Sequence, residues 1–280
     1  MRNTKEPKVK MKKDIIKILI KSFNRIPKLS AHTIDSFDIT QLSGYTNLNF
    51  QLKNAQNDWI LRIPRKKTNA YINRTQEAYN TIIAFNLGLA PKCLWRDNSG
   101  YSLSDTIKQS RSLSVADLHN PSRLSQLVGS LKKLHQSDQV FQGTVDITEL
   151  LSRFYELMPK SKQRFFANTY KGVAEKVEVV LKQVEKHVPS HNDLILENIL
   201  LERQSDPRKI WIIDWEYATM ASPYWDLATL CNEGKLTVFQ AENLLNLYQG
   251  KEQSLNIKVL NVYRNILSTL SIFWLTAFAG

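Results

Sequence analysis

The apolar positions of this chain follow two spacings. Gln41-Leu-Ser-Gly-Tyr-Thr-Asn-Leu-Asn-Phe-Gln-Leu52 and Trp59-Ile-Leu-Arg-Ile-Pro64 predict strand, turn, strand. A helix is expected over about 69–85, with Tyr71, Ala78, Ile82 and Phe85 among its apolar positions. The turn residues Asp97-Asn-Ser-Gly100 then precede a short strand-like piece at Tyr101–Leu103. Asn120 reads as an N-cap with Pro121 in the first turn, ahead of Leu124, Leu127, Val128, Leu131 and Leu134 on one helical face. Residues 146–187 read as two helices and residues 255–278 as a last one. Between them lies the β-type run Ile210–Ile213, which ends at Asp214.

Strands first and helices afterwards predict an α+β chain of two lobes, which 280 residues with 42% hydrophobic content can fill. The interlobe connection is expected near Leu103 to Ser112, dividing a lobe of residues 29–105 from one of 106–280. Residues 1–28 stand apart. They hold ten Lys and Arg against Glu6 and Asp14, and so carry +8 of the net charge of +12. Ile15, Ile16, Leu19, Phe23 and Ile26 recur there at near-helical spacing, so the segment is a basic amphipathic one, suited to packing on the first lobe or to weak contact with an anionic membrane surface. Nothing in it interleaves aromatic with base-reading side chains, which argues against nucleic acid as a partner. Cys93 and Cys231 have neither disulfide-framework nor zinc-site spacing, which favours a reducing cytosol. No run of about 18 apolar residues is present to span a membrane.

The chemistry is concentrated in Pro189–Leu201 and Lys209–Tyr217. His191, Asp193 and Asn198 form H-x-D-x-x-x-x-N, and Asp214 directly follows an apolar strand. Phosphoryl transfer to a hydroxyl needs a carboxylate to take the proton and oxygen ligands for the magnesium that bridges the nucleotide phosphates. Asp193 fits the first role, and Asn198 and Asp214 the second.

These residues also carry a resemblance. His191-Asn-Asp193 with Asn198-Ile-Leu-Leu201, Ile213-Asp-Trp-Glu-Tyr-Ala218 and Trp225-Asp-Leu-Ala228 resemble the choline/ethanolamine kinase family, within the aminoglycoside-phosphotransferase-like kinases of protein-kinase-like fold. The position two residues after Asp193 is Ile195, where protein kinases usually carry Lys. The resemblance implies a bilobal fold and an ATP- and Mg²⁺-dependent enzyme. It implies phosphate binding by Gly44, Thr46 and Asn47 in the first turn and by Arg62 on the next strand, with Glu77 pairing that basic residue. An Arg fork also suits phosphate oxygens on chemical grounds.

On the substrate side the resemblance places Tyr217 in a choline pocket, Glu216 as negative charge nearby, Trp274 as one cage aromatic and Asp226 as the brace of the catalytic loop. Ser271 stands where eukaryotic-type relatives carry a further Trp. The expected reaction is transfer of the γ-phosphate of ATP to the hydroxyl of choline or a similar cationic alcohol. Thiamine, ethanolamine and aminoglycoside kinases are the alternatives, and a non-catalytic kinase-like binding module is another. The intact set of Asp193, Asn198 and Asp214 speaks against the last. Trp215 and Trp225 are expected in the core, and His135 as a structural histidine.

Overall fold

The computed structural model describes residues 12–65, 71–182, 186–203, 209–250 and 255–278, and these form two compact units. The first comprises residues 1–71 and 92–106, the second 72–91 and 107–280. Both differ from the sequence-based division in their handling of helices. The described part of the basic segment, residues 12–28, sorts with the first unit, and the helix expected in the first lobe sorts with the second.

In the first unit α1 (Lys13–Arg25) precedes β1 (Asp38–Leu42), β2 (Asn47–Lys53) and β3 (Asp58–Pro64). In the second, α2 spans Arg74–Asn86. The chain returns to the first unit with β4 (Cys93–Arg96) and β5 (Ser102–Asp105), closing an antiparallel sheet of order β1-β2-β3-β5-β4. Along β3 the side chains alternate, so Trp59, Leu61 and Ile63 join one core while Arg62 belongs to the other face. Leu19 and Phe23 of α1, with Ile26 just after it, pack into that same core with Phe50, Leu52 and Leu103. The amphipathic helix therefore spends its apolar stripe on the sheet. Arg25 at its end bonds Asp97 and Ser99 and lies over the Tyr101 ring.

The second unit continues through β6 (Ser110–Ser112), α3 (Pro121–His135), α4 (Ile147–Leu157) and α5 (Lys160–Leu181). The Asn120 side chain caps α3 by accepting from Arg123 N, as its sequence predicts, and all five Leu and Val positions are buried. Then come β7 (Val188–Ser190), β8 (Ile199–Glu202), β9 (Ile210–Ile212) and β10 (Thr219–Ala221). β6-β8-β9 and β10-β7 make two small antiparallel sheets that present the loops between their strands. The helices α6 (Pro223–Glu233), α7 (Val238–Gln249) and α8 (Ile257–Phe278) complete a large apolar core. Trp215 and Trp225 lie in this core. No described helix is long and apolar enough to cross a membrane.

The helix α2 reverses the expectation for its faces. Ile82 and Phe85 are exposed, whereas Arg74, Glu77 and Asn80 are buried. Its inner face joins Ile83 and Ala84, packed in the apolar core, to polar contacts: Asn80 Nδ2 donates to Ala218 O at 2.7 Å and to Gln142 O, and Asn80 Oδ1 accepts from Gln142 N. Gly143, at φ +81°, lies so close to the Gln76 amide that a Cβ would collide with it. Gly143→Ala is therefore expected to cost about 1–3 kcal/mol, read as a lower midpoint in urea unfolding.

Candidate active site

The loop after β7 is held from behind by α6. Asp226, fully buried, accepts from His191 N and Asn192 N at 2.8 Å each, and its Oδ2 also meets His135 Nε2 at 3.0 Å. Burial pushes the Asp226 carboxyl up, but the bond from His135 and the charges around it prevail, leaving it below the usual carboxylate range. Trp225 adds an indole N–H to Asn192 O at 2.8 Å, so this core residue also supports the loop. Glu233, at the end of α6, accepts from Leu196 N. His135 is structural, as expected, with Tyr248 on its other nitrogen.

His191 ties the loop to the strand that carries Asp214. Its Nε2 donates to Ile213 O at 2.9 Å, while Nδ1 accepts from Asp193 N at 3.3 Å, which fixes the Nε2–H tautomer. Burial keeps the ring from protonating. Asn192 and Asp214 both sit in the left-handed region, at φ 64° and 63°. Asn and Asp tolerate this conformation better than other L-residues, and such backbone strain gathers at functional sites.

In front of this support the sequence-predicted residues of the second unit come together. Asn198 Nδ2 donates to Asp193 O and to Asp193 Oδ2 at 3.0 Å. Its nitrogen is thereby committed to Asp193, which turns Oδ1 the other way. Asp193 is held well above the usual carboxylate range, first by burial and then by the charges of Asp214 and Glu216. The Tyr217 hydroxyl is pushed up by burial and by the same three carboxylates, Glu216, Asp193 and Asp214, and it accepts a side-chain hydrogen bond from Trp274. Asp193, Asn198, Asp214, Glu216, Tyr217 and Trp274 thus share one neighbourhood. Ser271, one turn earlier on α8, is exposed.

Arg74 is a member that sequence reasoning missed. Its Nη1 lies 2.8 Å from Glu77 Oε2 and 3.2 Å from Glu216 Oε2. Glu77 is accordingly buried and takes an ion-pair partner three residues before it on its own helix. One signal was available: a cation in the first turn of a helix opposes the helix dipole and calls for a reason.

The residues expected on the nucleotide side, Gly44, Thr46, Asn47 and Arg62, belong to the first unit and form a group of their own. Gly44 has no Cβ to meet Asn47 O and the Asn49 amide, which would each lie 2.7 Å from one. Its role within the turn is to let the loop close on itself. Thr46 and Asn47 are buried, with Asn47 Nδ2 donating to Thr46 Oγ1. Arg62, also buried, pairs in register with Asn49 on β2 and Ser102 on β5.

Residues 39–252 match the sequence profile of the choline/ethanolamine kinase family. The chain belongs to that family. Relatives of this kinase include the protein LicA of Haemophilus influenzae, 31% identical over 240 residues that cover 82% of this chain and 88% of the relative. The crystal structure of the choline kinase LicA from Streptococcus pneumoniae aligns with a TM-score of 0.77 at 25% identity, covering 93% of this chain and 90% of that one. An aminoglycoside phosphotransferase from Streptomyces rimosus, solved with ADP and streptomycin, shares the fold with a TM-score of 0.65 at 15% identity, over 91% and 98% of the two chains. The kinase is a nucleotide-binding phosphotransferase with an alcohol group as acceptor and the α+β protein-kinase-like fold.

Proposed function

We propose that this kinase transfers the γ-phosphate of ATP to the hydroxyl of choline. The observation that carries the reading is the gathering of Asp193, Asp214 and Glu216 around the Tyr217 hydroxyl, with Trp274 bonded to it. A quaternary ammonium offers no conventional hydrogen-bond donor, so ring faces and carboxylates are what recognise it. Asp193 accepts the hydroxyl proton and orients the oxygen toward phosphorus. Gly44, Thr46, Asn47 and Arg62 bind the nucleotide phosphates, and Glu77 helps fix the phosphate-binding side. Glu216, Tyr217 and Trp274 receive the cationic head.

The donor set fits Mg²⁺. Asp214 and the Asn198 Oδ1 are hard oxygen donors, and the mutual repulsion of Asp193, Asp214 and Glu216 is relieved by a divalent cation. Among the described residues no three His, Cys, Asp or Glu side chains form a ready cage. Mg²⁺ is ordinarily held by one or two carboxylates together with substrate phosphates. When bound it supplies charge stabilisation for the phosphoryl group.

The test is ATP consumption in the presence of choline, ethanolamine, thiamine and several aminoglycosides. Choline is expected to give the highest kcat/KM; preference for another acceptor, or no acceptor at all, overturns the reading. Tyr217→Leu is expected to raise the KM for choline about 3- to 30-fold, the worth of one cation–π contact, with the KM for MgATP unchanged.

A weak contact of α1 with an anionic membrane surface forms part of the same proposal. With Leu19, Phe23 and Ile26 buried, the helix exposes Lys13, Lys17 and Lys21 beside Ile16 and Ile20. Vesicles containing phosphatidylserine are expected to co-sediment the protein at low salt, and a Lys13→Gln, Lys17→Gln, Lys21→Gln protein to stay in solution. Equal sedimentation of both proteins removes the contact.

A further inference from the structure

Arg74 occupies the first helical position of α2, where the aligned peptide dipoles already present positive charge. A cation is disfavoured there unless carboxylates answer it. Two do, Glu77 and Glu216, and all three side chains are almost closed to solvent, at 4%, 1% and 1% exposure. The same helix also holds the backbone that follows Glu216. Gln76 Nε2 and Asn80 Nδ2 both donate to Ala218 O, at 3.2 and 2.7 Å. The segment 216–218 therefore hangs from one face of α2, its carboxylate fixed by a guanidinium and its backbone by two amides.

We infer that Arg74 is a positioning residue for recognition of the substrate's positive charge. By bridging Glu77 and Glu216 it fixes the Glu216 carboxylate beside Asp193, Asp214 and Tyr217, and so sets the preference for a quaternary ammonium over a neutral alcohol of the same shape. The inference rests on the choline reading above.

Two carboxylates that reach one nitrogen at 2.8 and 3.2 Å stand within a few ångströms of each other in a site closed to water. Without the guanidinium the two carboxylates lose the cation they share, and removing one member of a buried ion group is strongly unfavourable. Glu216 then turns away, and the negative charge that the ammonium meets goes with it. Lys is an incomplete substitute, because a compact ammonium on a flexible stem lacks the planar fork that addresses two carboxylates at once. Met keeps the apolar stem and removes the charge.

The experiment compares choline with its neutral carbon isostere, 3,3-dimethylbutan-1-ol, by equilibrium binding and by steady-state kinetics with MgATP. The choline-to-isostere affinity ratio is expected to fall about 10-fold or more in Arg74→Met, with Arg74→Lys between it and the wild type. The loss falls on the KM for choline, while the KM values for the isostere and for MgATP move less than about 3-fold. Glu216→Gln is expected to lower the ratio as far, and adding Arg74→Met to it to lower the ratio no further, as for residues acting through one contact.

A wild-type ratio in Arg74→Met, or equal losses for both alcohols, overturns the inference, the second outcome marking a merely structural residue. Where Arg74→Met does not fold, Arg74→Lys decides: a lowered ratio supports the inference and an unchanged one overturns it. A wild-type enzyme with no preference for choline overturns the choline reading, and the inference with it. A wild-type preference that survives Arg74→Met overturns the inference alone.

Discussion

Asp193→Asn is expected to lower kcat by about 10²- to 10⁴-fold, the usual worth of a general base, with little change in the KM for MgATP. The same substitution is expected to raise the thermal midpoint by about 2–6 °C, since it removes one of several like charges confined together. The two effects have a single cause. Burial, Asp214 and Glu216 all hold Asp193 well above the usual carboxylate range, so its ionised form is unwelcome in the folded protein. The sign follows from that direction. A carboxyl whose folded pKa lies above its unfolded value destabilises the fold progressively as pH rises from the unfolded value through the folded one. The stability advantage of Asp193→Asn should therefore be absent in acid and grow with pH, and adding Mg²⁺ should shrink it by neutralising the same repulsion. Scanning calorimetry at several pH values checks this. A variant less stable than the wild type at neutral pH, or one that turns over normally, removes the assignment of Asp193 as a strained base.

What was legible in the sequence was whatever is local along the chain. The step from Asp193 to Asn198 spans one short loop, and Asp214 closely follows a strand only a few residues long, so the spacing marked all three as residues near strand ends. The α3 cap and face were equally readable, because Asn120, Pro121 and the Leu repeat act within a few turns. The α2 helix was not. Its outward Ile82 and Phe85, and the inward Arg74, Glu77 and Asn80 that share the buried face with Ile83 and Ala84, depart from the ordinary pattern. The polar residues are inside because they answer backbone groups and carboxylates more than 130 residues further along the chain, at Glu216 and Ala218. No helical periodicity encodes such partners. The same holds for α1, whose apolar stripe was visible while its destination in the sheet core was one of two open possibilities.

Distant partners also explain why Asp226 is expected to matter as much as Asp193. Its two oxygens accept three hydrogen bonds, from His191 N, Asn192 N and His135 Nε2. An asparagine can orient only one oxygen, so in Asp226→Asn an amide nitrogen must face at least one backbone N–H across a contact of about hydrogen-bond length. Leaving buried donors opposed in this way is expected to cost about 3–5 kcal/mol. The loop that carries Asp193 then loses its register with Asp214, and kcat is expected to fall about 10²-fold or more even though Asp226 touches no reacting atom. The wild-type pH dependence has the opposite sign from that of Asp193. Asp226 is depressed, so its contribution is present above the unfolded carboxyl value and is lost as pH falls through the folded one. Asp226→Asn should accordingly flatten the acid limb of the stability curve, whereas Asp193→Asn should change the alkaline side. Urea unfolding between about pH 3 and 8 separates the two. If Asp226→Asn unfolds with a wild-type midpoint and keeps its acid limb, the loop that carries Asp193 is not held by this carboxylate.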